Sequence, residues 1–209
     1  MSSAILLCGG RSTRMGQRKT ELPYGGTTLL QHVLNRLCRA FSPIVLVAAP
    51  GQEMTYAAPD CLLTYDRRTD CGPLGGIEAG LSVARDHGDR AFVSACDLPF
   101  LDSQLFNLLT EASTARFDRP HIVVPHDGVQ AHPLAAVYRT DTVDTLTSLL
   151  ESGDLRVRSL LCLVHTLYVD ASEPHLQASL ENVNTPDAYA RARDRLARSH
   201  ATHNPRSSM

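Results

Sequence analysis

The stretch Leu7-Cys8-Gly9-Gly10-Arg11-Ser12-Thr13-Arg14-Met15-Gly16-Gln17-Arg18-Lys19 leaves a short apolar run carrying three glycines and four basic residues. Adjacent glycines let backbone N–H groups converge on one point without Cβ interference. Neighbouring cations strengthen such a nest, so the loop suits a triphosphate. Glycine and charge alone leave a solvated basic turn equally open. Neither G-x-x-x-x-G-K-[ST] nor G-x-G-x-x-G can be laid over it, which excludes the Walker and dinucleotide loops. The second chemical group is Asp97, just beyond the apolar run 91–95. It stands at a strand's carboxyl end, where ligands bind in open α/β sheets, and its hard oxygens are what Mg²⁺ prefers. The competing role, a helix N-cap, fits Asp102 better.

These groups need a rigid frame. The runs 4–8, 44–49, 62–65, 91–95 and 121–125 are rich in Val, Ile and Leu and read as continuous hydrophobics, the pattern of strands buried on both faces. Between the first two, Leu29, Leu30, Val33, Leu34, Leu37 and Phe41 share one helical face, with Thr27 or Thr28 as N-cap. Helices are expected at 77–85 and at 103–112, the latter capped by Asp102. Asp127-Gly128 signals a hairpin between 121–125 and 133–138, so an antiparallel element enters the sheet in the C-terminal half. Helices at 142–150 and near 156–163, a strand at 166–169, and a final helix at 187–198, opened by Pro186 and capped by Thr185, complete the pattern. Residues 199–209 are polar and aperiodic and are expected to form a frayed tail. The sum is a single α/β domain over 1–198, Rossmann-like, with a mostly parallel sheet and helices on both faces.

Composition agrees with a globular domain. Of 209 residues 43% are apolar, enough for a sizeable core, and no apolar stretch reaches the roughly 20 residues of a membrane helix. Twenty basic against 22 acidic residues leave a net charge of −2, so no overall field draws the chain to nucleic acid or to an anionic membrane. The run 4–8, without a basic flank and ended by Gly9-Gly10, is too short for a secretory segment, so a cytoplasmic address is expected. Cys8, Cys38, Cys61, Cys71, Cys96 and Cys162 form no C-x-x-C pair and read as reduced thiols, mostly small core residues.

A strand ending in Leu-x-Gly-Gly, followed by Ser-x-Arg-Met-Gly and a Lys, resembles the signature of nucleotidyltransferases of the glycosyltransferase-like, nucleotide-diphospho-sugar transferase-like α/β fold. In detail it resembles the molybdenum cofactor guanylyltransferases. The resemblance also runs through Leu29-Leu30-Gln31-His32-Val33, Gly72-Pro73-Leu74-Gly75-Gly76-Ile77, Cys96-Asp97-Leu98-Pro99-Phe100, Asp127-Gly128 with His132-Pro133, Gly153-Asp154-Leu155-Arg156-Val157 and Asn182-Val183-Asn184-Thr185-Pro186. It implies transfer of GMP from GTP to molybdenum-molybdopterin with release of pyrophosphate. It also implies Mg²⁺ as cofactor, and partners among other cofactor-biosynthesis and molybdoenzyme-delivery proteins. Within the same fold, a cytidylyl- or sugar-phosphate nucleotidyltransferase would share the first loop and Asp97. A non-catalytic nucleotide-binding partner in cofactor delivery is the alternative of another class.

Carried over by position, the family's nucleotide contacts fall on Leu7, Cys8, Gly9 and Gly10, on Lys19 and Asp66, and on Asp97, which also holds the metal. Arg14 and Lys19 are expected to hold the β- and γ-phosphates, Arg14 as a planar fork and Lys19 as a point charge, while Arg11 and Arg18 fit ordinary surface cations. Gly72, Pro73 and Leu74, in a loop before the helix at Ile77, are expected to help select guanine. Asp66 would accept hydrogen bonds from ribose hydroxyls or from the guanine N1–H and amine; a tight turn with a solvated Asp is the alternative. On the acceptor side the resemblance implies His132, Arg156, Asn182 and Asn184, with Arg156 meeting the pterin's phosphate. Two departures stand out: Cys8 replaces a frequent Ala, and Val47-Ala48-Ala49 lacks a frequent Asn after the second strand.

Overall fold

The computed structural model describes residues 3–9, 18–56, 58, 60–68, 70–115 and 118–203. The chain runs through β1 (Ser3–Leu7), β2 (Pro23–Tyr24), β3 (Thr27–Thr28), α1 (Leu29–Leu37), β4 (Ile44–Ala48), β5 (Cys61–Tyr65) and α2 (Gly72–Ala84). It continues with β6 (Arg90–Ala95), α3 (Ser103–Thr114), β7 (Ile122–His126), β8 (Ala135–Arg139), α4 (Thr142–Glu151), α5 (Val157–Leu163), β9 (Thr166–Asp170), α6 (Pro174–Ser179) and α7 (Pro186–His203). β2 and β3 form a small separate ribbon. The other strands make one sheet in the order β5-β4-β1-β6-β8-β7-β9. Parallel pairing joins β1 to β4 and β6, β4 to β5, and β7 to β9, while β8 pairs antiparallel with both β6 and β7. The mostly parallel sheet and its C-terminal antiparallel strand are therefore both present. A consequence follows for function: β1, β4, β5, β6, β7 and β9 all end on one edge.

The alternation of strand side chains explains why helices cover both faces. Ala4 and Leu6 of β1 join Phe92, Val123 and Val137 in one apolar layer, closed by Leu30, Val33 and Leu34 of α1, Leu105 and Leu109 of α3, and Leu176 of α6. Ile5 and Leu7 face the opposite layer with Val45, Val47, Val93 and Val124, under Leu74, Ile77 and Leu81 of α2, Leu146 and Leu149 of α4, and Leu160 of α5. Phe41, Phe92 and Phe106 pack mutually in the first layer, with ring centroids 5.0–5.4 Å apart. A third cluster, with Leu22, Tyr24, Leu29, Val183 and Ala192, seats the ribbon and α7 on the rim.

Capping residues act where their types suggest. The Thr28 hydroxyl accepts from the Gln31 N–H, the Asp102 carboxylate from the Gln104 and Leu105 N–H groups, and the Thr185 hydroxyl from the Ala188 N–H. Several expectations need correction. α1 stops at Leu37, so Phe41 enters the core from the turn that follows. Gly72 to Gly76 is not a loop before a helix at Ile77 but the first turn of α2. Pro at the start of that helix is pre-organised for it, and its glycines permit a close approach that propensity alone opposes. α7 continues past Arg198 to His203, and residues 204–209 of the expected tail lie outside the described residues. Only Cys8 and Cys96 are core thiols; Cys38 and Cys162 are exposed, and Cys61 and Cys71 are intermediate. The β2–β3 ribbon and α6 are too short to leave a periodic signal.

Candidate active site

The strand ends gather the chemistry on one edge. At β1, the Cys8 N–H donates to the Val47 carbonyl (2.8 Å) and the Leu7 carbonyl accepts from the Cys96 N–H (3.1 Å). The backbone there is committed to the sheet, which leaves the exposed Gly9 as the first described residue of the loop that can face a ligand. A Cβ on Gly9 would lie 3.2 Å from the Ala49 nitrogen, so glycine lets the chain pass this close to the turn after β4. That turn, Ala49-Pro50-Gly51-Gln52, closes with a Gln52 N–H to Ala49 carbonyl bond of 3.0 Å, with Gly51 at φ +71°. The buried Gln52 side chain then accepts from the Ala49 N–H (3.0 Å) and donates to the Cys8 carbonyl (3.3 Å). It ties the ends of β1 and β4 together in the turn that follows Val47-Ala48. The only signal for it in the sequence is a polar residue just past a Pro-Gly turn.

Cys8 and Cys96 are buried, and burial raises both thiols, Cys96 to about 12. They are apolar packing here rather than nucleophiles.

Asp66 follows β5, and its backbone N–H donates to the Ala48 carbonyl (2.9 Å). Its carboxylate accepts from the Arg68 N–H (2.9 Å) and rests on the first turn of α2, where a Cβ on Gly75 would meet its two oxygens at 2.7 and 2.9 Å. Burial, and to a lesser degree Glu78, raise the Asp66 carboxyl above the usual range against the pull of the Arg68 N–H. Of the three residues expected beside a base, Gly72 and Pro73 are exposed at the start of α2 and Leu74 is fully buried in the core. Gly76 and Gly80 serve packing instead, since Cβ atoms there would meet Leu7 and Ile5 side chains at 3.2 and 2.4 Å.

The centre of the site is a constellation drawn from three distant segments. The Lys19 ammonium lies 2.9 Å from the Asp97 carboxylate, and the two side chains are 18% and 20% exposed. The same ammonium donates to the Asn184 side-chain oxygen. The Val183 N–H donates to the Asp97 carbonyl (2.8 Å), which locks the segment of Asn182 and Asn184 against the end of β6. Asn184 therefore touches the expected phosphate cation rather than lying only on the acceptor side. Arg14 and Gly10 lie outside the described residues. Arg18 is exposed and 3.8 Å from Glu21, as a surface cation would be.

Beyond this centre lies a cavity of about 390 Å³ between the β7–β8 hairpin, α6 and α7. Asp127, His132, Asn182 and Arg191 are among its walls. His132 Nε2 is 2.7 Å from the Asp127 carboxylate, and Gln177 on α6 donates to the Asp127 carbonyl at 2.7 Å, pinning the hairpin. Burial opposes ionisation of Asp127. The Gln130 and Val129 N–H groups and the His132 ring outweigh it and bring the carboxyl down to about 2. Arg156 is not in this cavity. It is exposed, and its guanidinium holds the Asp154 carboxylate through two contacts of 3.0 and 2.8 Å.

Among the described residues no helix is long and apolar enough to cross a membrane, and no group of three or more His, Cys, Asp or Glu side chains could hold a metal. Residues 4–166 match the model of the MobA-like NTP transferase domain. A probable molybdenum cofactor guanylyltransferase of Mycobacterium tuberculosis (strain ATCC 25618 / H37Rv) is 35% identical over 187 residues, covering 88% of this chain and 89% of that protein. Its counterpart in Mycobacterium avium (strain 104) is 34% identical over 186 residues, covering 88% and 90%. The crystal structure of molybdopterin-guanine dinucleotide biosynthesis protein A from Archaeoglobus fulgidus superposes with a TM-score of 0.75 at 23% identity, over 94% of this chain and 99% of that one. A 4-diphosphocytidyl-2C-methyl-D-erythritol synthase from Anaerococcus prevotii shares the fold at a TM-score of 0.65 and 14% identity, over 93% and 97%. With the domain matched over most of its length and relatives above 30% identity along nearly all of it, the chain belongs to the MobA-like NTP transferase family and is a nucleotidyltransferase of the molybdenum cofactor guanylyltransferase kind.

Proposed function

We propose that this nucleotidyltransferase moves GMP from GTP to molybdenum-bound molybdopterin, forming a guanine dinucleotide cofactor. An acceptor phosphate oxygen attacks the α-phosphorus, the bond to the β-phosphate oxygen breaks, and pyrophosphate leaves. The observation that carries this reading is the Lys19–Asp97–Asn184 constellation, which joins the nucleotide-facing strand ends to the edge of the polar cavity. A group-transfer enzyme needs its charged centre between two substrate sites, and a constellation set between the strand ends and the cavity supports this reading.

The residues fit a metal carried by the nucleotide. Asp97 is one partly exposed carboxylate with no surrounding cage of further ligands among the described residues. Mg²⁺ is commonly held in just this way, by one or two carboxylates plus phosphate oxygens and water. When bound, Mg²⁺ supplies charge neutralisation for the phosphates. The chain's own residues do the rest. Lys19 places a fixed positive charge beside Asp97, available to a phosphate oxygen as negative charge develops on the leaving group. Asn184 orients that ammonium through its side-chain oxygen. Asp66, ionised, accepts hydrogen bonds from the nucleoside, and Gly9 offers backbone to the phosphates. Asp127, His132, Asn182 and Arg191 present donors and acceptors to a polar acceptor in the cavity.

The test is pyrophosphate release with each of GTP, CTP, ATP and UTP in the presence of Mg²⁺ and molybdenum-loaded molybdopterin. GTP is expected to exceed the others by on the order of 10²-fold or more in kcat/KM, because buried polar groups left unpaired by the wrong base reject it strongly. Equal turnover of GTP and CTP overturns the guanylyl assignment; turnover with a sugar phosphate in place of molybdopterin overturns the acceptor assignment.

A further inference from the structure

Asp97 opens a segment, running on to Leu101, that is neither strand nor helix, so its backbone groups need partners from elsewhere. They find them on α1. His32 and Arg36 are one turn apart and share a face of that helix. Arg36 Nη1 donates to the Leu101 carbonyl at 2.6 Å, a short charge-assisted bond. His32 Nε2 lies 3.1 Å from the Pro99 carbonyl oxygen, and the same nitrogen is 3.1 Å from Arg36 Nε. Around the segment, the Arg195 guanidinium sits 4.0 Å over the Phe100 ring, and the Val183 N–H holds the Asp97 carbonyl. The Tyr24 ring meets the His32 ring edge-on, with centroids 4.7 Å apart, and the Tyr24 hydroxyl donates to the Ala192 carbonyl of α7.

Leu98 and Leu101 are already buried, so the apolar core alone suffices to keep this segment on the protein. Packing is non-directional, however, and the Val183 N–H fixes only the Asp97 end, so the rest of the segment takes its rotation from further directional bonds. The Leu101 carbonyl gripped by Arg36, with the His32 ring set against Pro99, fixes that rotation. The sole group on the segment with chemistry to offer is the carboxylate at its start.

We infer that Arg36, with His32, is a positioning residue of the nucleotidyl transfer: Arg36 holds the Leu101 carbonyl and the His32 ring that lies against Pro99, and thereby aims the Asp97 carboxylate beside Lys19. The inference rests on the assignment of Asp97 to the metal-bearing triphosphate. Neither residue touches substrate; both act through the backbone.

The experiment uses the full chain with Arg36→Met and Arg36→Lys, and Asn35→Ala on the exposed side of α1 as a control. Three quantities are read: the apo melting midpoint, the midpoint shift caused by GTP with Mg²⁺ against GTP with a chelator, and kcat beside KM for GTP. Arg36→Met is expected to remain folded, with an apo midpoint lower by no more than about 8 °C. Its kcat is expected to fall by about 10- to 50-fold with KM for GTP within about threefold, the signature of an interaction realised in the transition state. The Mg²⁺-dependent part of the GTP shift should fall by half or more, whereas the shift in chelator is kept. Arg36→Lys, able to reach the Leu101 carbonyl but not to hold the His32 ring as well, recovers part of both losses, and Asn35→Ala changes neither. A folded Arg36→Met with unchanged kcat and unchanged Mg²⁺-dependent shift overturns the inference alone, as do losses equal with and without Mg²⁺. A wild-type chain whose GTP shift ignores Mg²⁺ overturns the assignment of Asp97 itself, and the inference falls with it.

Discussion

The two halves of the site are built by different means. On the side proposed for the nucleotide, the ends of β1, β4, β5 and β6 lie next to one another in the sheet, and Gly9, Asp66 and Asp97 follow β1, β5 and β6 by one or two positions. On the side proposed for the acceptor the walls come from a hairpin, a six-residue helix, the segment of Asn182 and Asn184, and α7, held together by single contacts such as Gln177 to the Asp127 carbonyl. One half inherits its geometry from parallel strands that the core already fixes. The other is assembled from pieces that hydrogen bonds must hold in place. Substrate chemistry can therefore be lost on the first side with little change in stability, while on the second side stability and binding are bound to move together.

The largest effect is expected where the halves meet. Asp97→Asn keeps size and one acceptor oxygen but removes the charge facing Lys19. Turnover is expected to fall by about 10³-fold or more, since metal-borne charge stabilisation is worth several kcal/mol. The apo melting midpoint should move by only a few degrees. Lys19→Met should fall comparably, and the double variant should be little worse than either alone, because residues that act as a unit are non-additive. Losses that simply multiply in the double variant would show that the two side chains act separately. Near-normal transfer by Asp97→Asn at saturating Mg²⁺ would place the metal elsewhere.

The next comparison sets two glycines of α2 against each other. On Gly75 a Cβ meets the oxygens of Asp66, the far end of a side chain that can turn away; on Gly80 it meets the core side chain of Ile5 at 2.4 Å. Gly80→Ala should cost about 1–3 kcal/mol through overpacking. Gly75→Ala should cost far less, yet by rotating the Asp66 carboxylate it should cut the preference for GTP over ATP by about tenfold. Melting curves with and without nucleotide separate the two outcomes. If Gly75→Ala instead unfolds the chain while preserving nucleotide preference in the folded fraction, Asp66 is a structural residue.

The same contrast explains how much of the molecule is legible in its sequence. Strands buried on both faces announce themselves as apolar runs, and Thr28, Asp102 and Thr185 cap the helices their types suggest, because these signals are local. The strand-end residues follow from the strands. Gly72 to Gly76 reads as a loop because glycine lowers helix propensity, and only the close approach of α2 to Ile5, Leu7 and Asp66 overrides that preference. The contact of Lys19 with Asn184 spans 165 positions, which no periodicity can reveal. Resemblance puts Asn184 on the acceptor side and misses that it touches the cation. Gln52, His32 and Arg36 act on backbone carbonyls and N–H groups, whose orientation is set by tertiary structure alone.

The smallest expected effect lies in the hairpin and tests whether the acceptor half is as separable as its construction suggests. Asp127 has its carboxyl held at about 2 by the Gln130 and Val129 N–H groups and the His132 ring, against the opposing effect of burial. A carboxylate whose folded pKa lies below its unfolded value contributes stability that is fully present above the unfolded pKa. That contribution is lost as pH falls through the folded one. For Asp127 the window runs from near 4 down to about 2. Asp127→Asn can still accept from the two N–H groups on one oxygen but loses the charge opposite His132. At pH 6 it should be less stable by on the order of 1 kcal/mol, a drop of about 2–4 °C in a chain of this length. The gap from wild type should shrink as pH is lowered from about 4 towards 2, because the wild-type carboxyl is then protonated too. GTP with Mg²⁺ should raise the midpoint of both proteins equally, while KM for the acceptor rises in the variant. A GTP shift that weakens in Asp127→Asn would show that the hairpin and the strand ends are one coupled unit.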